Sequence, residues 1–345
     1  MQKLPRVSVV IPVHNGEKVI GKCLDAVFRS DYPDFEVVVV DDCSTDRTRE
    51  ICRSYPVKLI PFDEHAGVSR ARNTGAKNAG GEVLLFIDAD CIMLEDTIRR
   101  MIETKLRTGA EIVGGTYTKV PEDRESFFST FQSVYVNYCE SRNPENPDYV
   151  ATHCMAVDRE VFLKLGGFIE GSYIGVAASV EDVEFCHRAK RAGYRVVMDP
   201  QAMVKHVFNF NLYRSLRNAV KKSMYWTMYS LDNRDITQDS GAASRELKLN
   251  VACYFSSALL LLTAALGGSA LPLALLPPIY AANLYANRGF FRALGELGRG
   301  FMLAGVAYYT LIYPAAVGAG AAAGVLRYLR YVKFGNIRRI KAEAE

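Results

Sequence analysis

The sequence predicts an α/β fold, with a doubly wound, mostly parallel sheet in the first part of the chain, followed by helices suited to a membrane. Three observations carry this. Short β-branched runs alternate with helical segments up to about residue 116. The run GEVLLFIDADC at 81–91 is apolar until it ends on two aspartates. From about residue 250, VACYFSSALLLLTAALGGSALPLALLPPIYAANLYA contains no charge.

The elements come in a regular order. RVSVVIP reads as a strand, then a helix near 16–30, the strand EVVVVDD, a helix near 45–54, the strand VKLIPF, a helix near 68–79 and the strand EVLLFIDAD. Strands that are nearly continuous in apolar residues belong to parallel sheets covered on both faces. Ligands of such sheets collect at the carboxyl ends of the strands, where DDCSTD (41–46) and DADC (88–91) both fall. Residues 117–210 are less regular, with the aromatic-rich SFFSTFQSVYVNY and a helix near 181–192. The expected organisation is a catalytic domain over 1–210, divided near 116 into a donor half and an acceptor half. A linker or interfacial helix over 211–249, apolar helices over 250–326 and a basic tail over 327–345 complete it.

Charge is segregated. Residues 211–345 hold 16 Lys+Arg against 7 Asp+Glu, leaving 26 against 31 in residues 1–210. The acidic part suits a site built from carboxylates, and the basic, apolar part suits the anionic cytoplasmic face of a membrane. NLYRSLRNAVKKSMYWTMY at 211–229 mixes cations with aromatics at helical spacing, as an interfacial helix does, although a solvated linker helix reads the same way. The uncharged stretch from 250 exceeds the roughly 20 residues of one bilayer crossing, and its Gly-Gly pair and prolines break it into a hairpin. FMLAGVAYYTLIYPAAVGAGAAAGVL at 301–326 is long enough to span once. Cationic clusters precede, separate and follow these segments, so no simple crossing count places all of them inside. Two to four crossings, with three favoured, or a re-entrant segment, are the expectation.

The eight cysteines show no C-x-x-C pair and read as reduced thiols. The amino terminus enters a strand pattern at once, without the stages of a signal peptide, so the catalytic part is expected in the cytoplasm. A dinucleotide-binding oxidoreductase would need G-x-G-x-x-G after the first strand, which is absent. Nucleotidyl transfer usually wants a glycine-rich, cation-bearing loop there, and IPVHNGEK is a poor version. Nucleic-acid binding has little support, because the basic residues accompany the apolar segments.

The D-x-D at a strand end offers hard oxygen ligands on neighbouring positions, where Mg²⁺ or Mn²⁺ can bridge to nucleotide phosphates. A turn, or the cap of the following helix, explains the same residues. Taken with its neighbours, the motif resembles that of the family 2 inverting glycosyltransferases of the GT-A fold, a Rossmann-like architecture. The resemblance runs through SVVIPVHN, DDCSTD, HAGVSRARNTGAKNAGGEVLLFIDAD, THCMAVDREVFLKLGGF and VEDVEFCHRAKRAGYRV to the histidine of MVKH, roughly residues 5–208.

The resemblance implies that Pro12 and Asn15 shape the loop against which a nucleotide base lies. It implies that Asp42 accepts a hydrogen bond from that base, with Asp41 or Asp46 framing the pocket. Asp88 and Asp90 become the D-x-D pair, Asp90 the direct metal ligand, with His206 completing the shell. Arg70, Arg72 and Asn73 border the donor, where a cation would neutralise phosphate. Gly166, Gly167 and Phe168 resemble a loop beneath the acceptor, although a helix C-cap needs the same glycines. Glu181 and Asp182 match an acidic pair at a helix start, with Asp182 the general base.

The chain departs from the pattern at His14, where many relatives carry an aromatic. It also lacks the Q-x-x-R-W of processive synthases, so a single transfer is expected. The resemblance therefore implies a metal-dependent, hexosyltransferase-type enzyme, multi-pass at the inner or plasma membrane. It would move one sugar from a nucleotide-sugar, normally a UDP-sugar, to a lipid-linked acceptor, with polyprenyl phosphate as an alternative acceptor that needs no base.

Overall fold

The computed structural model describes residues 4–170, 172–173, 176–177 and 180–333. The chain divides into two compact units, the first over 1–173 and 177–209, the second over 174–176 and 210–345.

In the first unit, β1 (Val7–Val13) is followed by α1 (Ile20–Phe28), β2 (Phe35–Asp41), α2 (Thr48–Arg53), β3 (Lys58–Pro61), α3 (Val68–Lys77), β4 (Val83–Ile87), β5 (Cys91–Met93), α4 (Thr97–Thr108) and β6 (Ile112–Tyr117). Then come α5 (Phe127–Ser141), β7 (Cys154–Asp158), α6 (Arg159–Lys164), the short strands β8 (Ser172–Tyr173) and β9 (Val176–Ala177), α7 (Glu181–Arg191) and β10 (Val196–His206). Eight strands form one sheet in the order β3-β2-β1-β4-β7-β6-β10-β5. The first four are mutually parallel, as expected. Beyond them β7 runs antiparallel to both β4 and β6, and β5 runs antiparallel to β10.

Every residue of β1 is buried, and alternate residues serve opposite faces. Val9 and Ile11 join the core beneath α1 and α4, while Val10 joins a core of Leu84, Phe86, Phe162, Phe168 and Phe185. This two-sided burial is why the strand sequences show no polar alternation. Gly75 lets α3 lie close on β1, since a Cβ there would meet Val10 Cγ1 at 2.3 Å.

The second unit is helical: α8 (Leu212–Asn233), α9 (Arg245–Gly267), a 3-10 turn (Leu271–Leu275), α10 (Leu276–Ala286), α11 (Arg288–Gly295), α12 (Arg299–Ala307), a π turn (Tyr308–Ile312) and α13 (Tyr313–Lys333). Two stretches, Arg245–Gly267 and Arg299–Val332, are long and apolar enough to cross a membrane. The second is not a free span. Gly320 and Gly324 of α13 press against α8, where added Cβ atoms would meet the carbonyls of Val220 at 2.4 Å and Met224 at 2.6 Å. Ser215 bonds Tyr308 at 2.8 Å and Tyr328 reaches Asp232 at 3.5 Å. The paired numbers rise together, so α8 runs parallel to the second stretch along most of its length.

That packing bears on the expected crossing at 301–326. Taking it through a bilayer would carry Arg214, Arg217, Lys221 and Lys222 of α8 inward, at about 2.5–3.5 kcal/mol each near the centre. The total, on the order of 10 kcal/mol, exceeds what a few apolar leucines recover.

Buried amides fix the middle of this unit. Asn250 donates to the carbonyl of Tyr309 (2.7 Å), Asn283 donates to Asn250 Oδ1 (2.8 Å), Asn287 donates to Asn283 Oδ1 (2.8 Å), and Tyr309 Oη donates to Asn287 Oδ1 (3.0 Å). The Tyr309 carbonyl lies in the π turn, where the regular helical ladder is interrupted and a side-chain donor can take its place.

Candidate active site

The carboxyl ends of β1, β2 and β4 carry the first cluster. Asp41, fully buried, is paired with Arg49 and accepts from the Ser44 amide (3.3 Å); Arg49 in turn donates to the Phe62 carbonyl (2.8 Å). Asp46 accepts from the amides of Glu17 (3.1 Å) and Thr48 (3.0 Å) and from the Thr48 hydroxyl, and so fastens the first residue of α2 to the loop before α1. Asn15, at φ 50°, accepts from Thr45 N (2.9 Å) while its own amide donates to Ser44 Oγ (2.8 Å). These three residues hold the two loops against each other. Pro12 lies within buried β1, opposite Val40 of β2.

Asp42 has further work. Its carboxylate accepts from the amides of Ala66 (2.7 Å) and Gly67 (2.9 Å), and His65 Nδ1 lies 3.0 Å from Oδ2. The 65–67 loop is thereby drawn over the end of β2, which leaves Asp42 only part of its accepting capacity for a ligand. His65 also packs against His14, ring centroids 4.5 Å apart, and His14 Nδ1 lies 2.6 Å from the Asp42 carbonyl. The departure at position 14 thus puts an imidazole pair beside Asp42. Arg70 stays exposed, near Glu64 (3.9 Å) and over the Phe62 ring.

The second cluster joins two motifs far apart in sequence. Arg72, on α3, is almost wholly buried and donates through one nitrogen to Asp88 (2.6 Å) and through another to Glu181 (2.7 Å). Expected at a phosphate, its guanidinium instead turns inward and neutralises two carboxylates. Burial alone would lower the Arg72 pKa, but Asp88 and Glu181 outweigh it and hold the charge in place. Burial likewise opposes ionisation of Asp88, and Arg72 overcomes it, keeping that carboxyl below its usual range. The bridge ties the end of β4 to the first turn of α7, where Asp182 Oδ1 accepts from the Val183 amide (2.8 Å). Val180, not an acidic residue, occupies the cap position of α7.

Antiparallel pairing of β5 with β10 sets His206 opposite Cys91 and beside Asp90. Asp90, Cys91 and His206 bring one ligand atom each to within 4.8 Å of one another, and His206 Nε2 lies 3.4 Å from Asp90 Oδ1. Enclosure by the chain and then the Asp88 charge raise the Asp90 pKa to about 7. Because 42% of the Asp90 side chain is still accessible, we ascribe the larger share to Asp88. A carboxylate and an imidazole converging at a strand end suit Mn²⁺ or a similar divalent ion. Asp88, engaged by Arg72, stands outside this trio, and Cys91, which the sequence reading passed over, stands within it. Burial raises the Cys91 thiol well above its ordinary range, so it stays protonated unless a metal displaces the proton.

A ring wall backs the site. Tyr117 stacks on His153 (4.0 Å) and meets His206 (5.1 Å) and Phe208 (5.4 Å) edge-on, while His206 stacks on Phe208 (4.0 Å). Behind it, Glu140 accepts from Thr116 Oγ1 (2.6 Å) and lies 3.5 Å from His153 Nε2. Sequence reasoning missed Tyr117, Glu140 and His153. Only the position of His153 within THCMAVD hinted at a role.

The glycine loop after α6 is fastened from two sides. Asn73 accepts from the Phe168 amide (2.9 Å) and donates to its carbonyl (2.8 Å), and Arg188 donates to the carbonyls of Leu165 and Gly167. Gly166 and Gly167 adopt φ of 81° and 71°, which favour glycine. Phe168 sits in the core against Phe86, Phe162 and Phe185.

A mixed sheet with paired acidic groups at its strand ends defines a GT-A glycosyltransferase scaffold. Residues 8–166 match the model of glycosyl transferase family 2. Among curated relatives, the chain is 32% identical over 198 residues to Glycosyltransferase AglE of Haloferax volcanii, covering 55% of this chain and 63% of that protein. It is 33% identical over 142 residues to Glycosyltransferase GlyA of Streptococcus pneumoniae, covering 38% of this chain and 20% of that one. The chain thus spans less than two thirds of either relative. The fold is similar to that of a mannosyltransferase, PcManGT from Pyrobaculum calidifontis, solved in complex with GDP-Man and Mn²⁺. The TM-score is 0.56 at 19% identity, covering 95% of this chain and 88% of that one.

Proposed function

We propose that the chain is an inverting glycosyltransferase that moves one sugar from a nucleotide-sugar to a lipid-linked acceptor at the cytoplasmic face of a membrane. The observation that carries this reading is the Asp88–Arg72–Glu181 bridge, which fixes the D-x-D segment and the start of α7 to one guanidinium.

The residues divide the work. Asp42 and the His14–His65 pair border the space for the nucleotide base, and the loops held by Asn15, Asp41 and Asp46 shape it. Asp90, with His206, would hold Mn²⁺ or Mg²⁺, as the GDP-Man and Mn²⁺ of the structurally similar mannosyltransferase suggest. A divalent ion there supplies positive charge to the departing nucleoside diphosphate. Asp182, at the positive end of α7, takes the proton from an acceptor hydroxyl as it attacks the anomeric carbon. Arg72 keeps Asp88 ionised and holds both carboxylates, of Asp88 and Glu181, stationary. Gly166–Phe168, clamped by Asn73 and Arg188, offers a rigid backbone surface to the acceptor.

The apolar second unit supports a membrane-bound acceptor, because a lipid substrate and the enzyme would then meet in two dimensions. Incubation of the detergent-solubilised chain with a panel of nucleotide-sugars, Mn²⁺ and a lipid extract tests the reading. Label from one donor should enter the lipid phase. Asp182→Asn should abolish transfer to a hydroxyl while leaving donor binding intact. Retained transfer in Asp182→Asn would favour polyprenyl phosphate, already an anion, as the acceptor. Release of pyrophosphate instead of nucleoside diphosphate would indicate nucleotidyl transfer.

A further inference from the structure

Between Lys248 and Arg288 the chain carries no charged residue, and from Ala258 to Ala282 none of its residues is buried. This segment comprises the second half of α9, the Gly267–Ala270 turn, the 3-10 turn and the first half of α10. Leu259, Leu261, Leu262 and Leu275 are exposed along it, and Leu266 and Leu271 at its tip are each 80% exposed. Soluble monomers rarely leave so long an apolar surface uncovered, and such surfaces mark protein or membrane contacts.

Its geometry limits what the partner is. The Asn283–Asn250 bond ties α9 and α10 at one level, and from that level both legs rise to a shared tip. From that tie, seventeen helical steps from Asn250 to Gly267 reach about 26 Å, the last nine of them, from Ala258, without a buried residue. The return through the 3-10 turn and α10 reaches about 20 Å. Because the legs share base and tip, the shorter one limits the depth to about 20 Å, short of a hydrocarbon layer roughly 30 Å thick. The base carries Arg245, Lys248, Arg288 and Arg292, with the Arg288 guanidinium 4.1 Å over the exposed Tyr285 ring, an arrangement suited to anionic headgroups. The tip, Leu266-Gly-Gly-Ser-Ala-Leu271, has neither a charge nor an aromatic residue, which a turn emerging into a second headgroup layer would be expected to carry. The cationic α8, running along α13, keeps the second apolar stretch from serving as the missing crossing.

We propose that residues 258–282 form a re-entrant hairpin that enters a bilayer containing anionic phospholipid without crossing it and returns to the face it came from. The proposal rests on the membrane-anchored reading above and replaces its multi-pass form with a same-face anchor. The hairpin holds the second unit to the bilayer, and its cationic base selects negatively charged lipid.

Two experiments on the full chain test it. In the first, Arg245→Cys, Leu266→Cys and Arg292→Cys are each placed in a Cys43→Ser background, since Cys43 is the one native cysteine that is not buried. Inside-out and right-side-out membrane vesicles are then treated with an impermeant maleimide. Residues 245 and 292 should label from the same face, and residue 266 from neither face until detergent is added. Ser269→Cys serves as a second tip probe, and thermal unfolding in detergent verifies that each variant folds. Labelling of the two base positions from opposite faces, or of the tip from either face of intact vesicles, would overturn the proposal.

The second is flotation with vesicles of phosphatidylcholine alone or with phosphatidylglycerol. The parent should float at least tenfold better with phosphatidylglycerol, and Leu266→Asp/Leu271→Asp should lose most of that binding. If the parent fails to float with either vesicle, the membrane reading itself falls. If the parent floats and the tip variant floats equally well, only the hairpin proposal falls.

Discussion

Replacement of Arg72 by methionine removes the cation shared by Asp88 and Glu181 while nearly preserving side-chain volume. In the parent the guanidinium is 4% exposed and its partners are 31% and 9% exposed, so the two carboxylates lose their neutraliser in a poorly solvated place. Breaking a buried ion pair on one side costs about 3–5 kcal/mol, more than the pair itself contributes. For a domain of this size that lowers the unfolding midpoint by roughly 6–20 °C. Thermal unfolding of the full chain in detergent, followed by circular dichroism, reads this. The pairing with Glu181→Gln separates charge from packing. Arg72→Met/Glu181→Gln removes one of the two stranded charges and should recover a substantial part of the loss. A midpoint for Arg72→Met within 2 °C of the parent, or a double variant less stable than the sum of the singles, would refute the bridge.

The same geometry makes other outcomes measurable. Gly167→Ala forces a methyl to 2.5 Å from Asn73 Oδ1 at a φ of 71°, so chemical denaturation should report a loss of roughly 1–3 kcal/mol. An unchanged denaturation midpoint would mean that the loop is not clamped. Asp90 has its folded pKa raised to about 7, so in the metal-free protein it holds a proton below that pH and must release it on binding a cation. Mn²⁺ affinity measured by electron paramagnetic resonance should therefore rise up to about tenfold per pH unit between roughly 5 and 7, then level off. Asp88→Asn removes the neighbouring charge and should move that inflection to lower pH; a pH-independent affinity contradicts the assignment. The same raised pKa means that Asp90 lowers fold stability as pH rises from its unfolded value toward 7. Gly320→Leu should separate α8 from α13, seen as faster proteolysis within 212–233, and equal cleavage rates would argue that the close approach is unimportant.

β1, β2 and β4 were legible because burial on both faces writes an unbroken apolar run, and the aspartates following β4 and ending β2 mark where that run stops; the edge strand β3 is only half-buried and showed as the short run LIPF. The antiparallel strands were harder to see. The Ile112–Tyr117 strand contains two glycines, and β10 is interrupted by a register shift between Met198 and Met203, so neither has a regular period. Arg72 was singled out as a cation, but its partners could not be read, since Glu181 lies 109 residues away and only the fold brings it near. The trio at Asp90 was half visible. His206 was chosen by resemblance, whereas Cys91 enters through strand register, which a sequence does not display. Asp41 and Asp46 looked like ligands because acidic residues in a loop serve a ligand and a turn equally well, and here they bond their own loops. In the second unit, apolar character was plain, but the glycines that bring α13 onto α8 were hidden in an alanine-rich run.

The most direct measurement tracks label from a nucleotide-sugar panel into membrane lipid, with Mn²⁺ and with excess chelator, for the parent and for Asp90→Asn. The account predicts transfer from one donor, loss in chelator, recovery on adding Mn²⁺ back, and little transfer by Asp90→Asn at any Mn²⁺ level. Undiminished transfer in chelator, or a fully active Asp90→Asn, would contradict it.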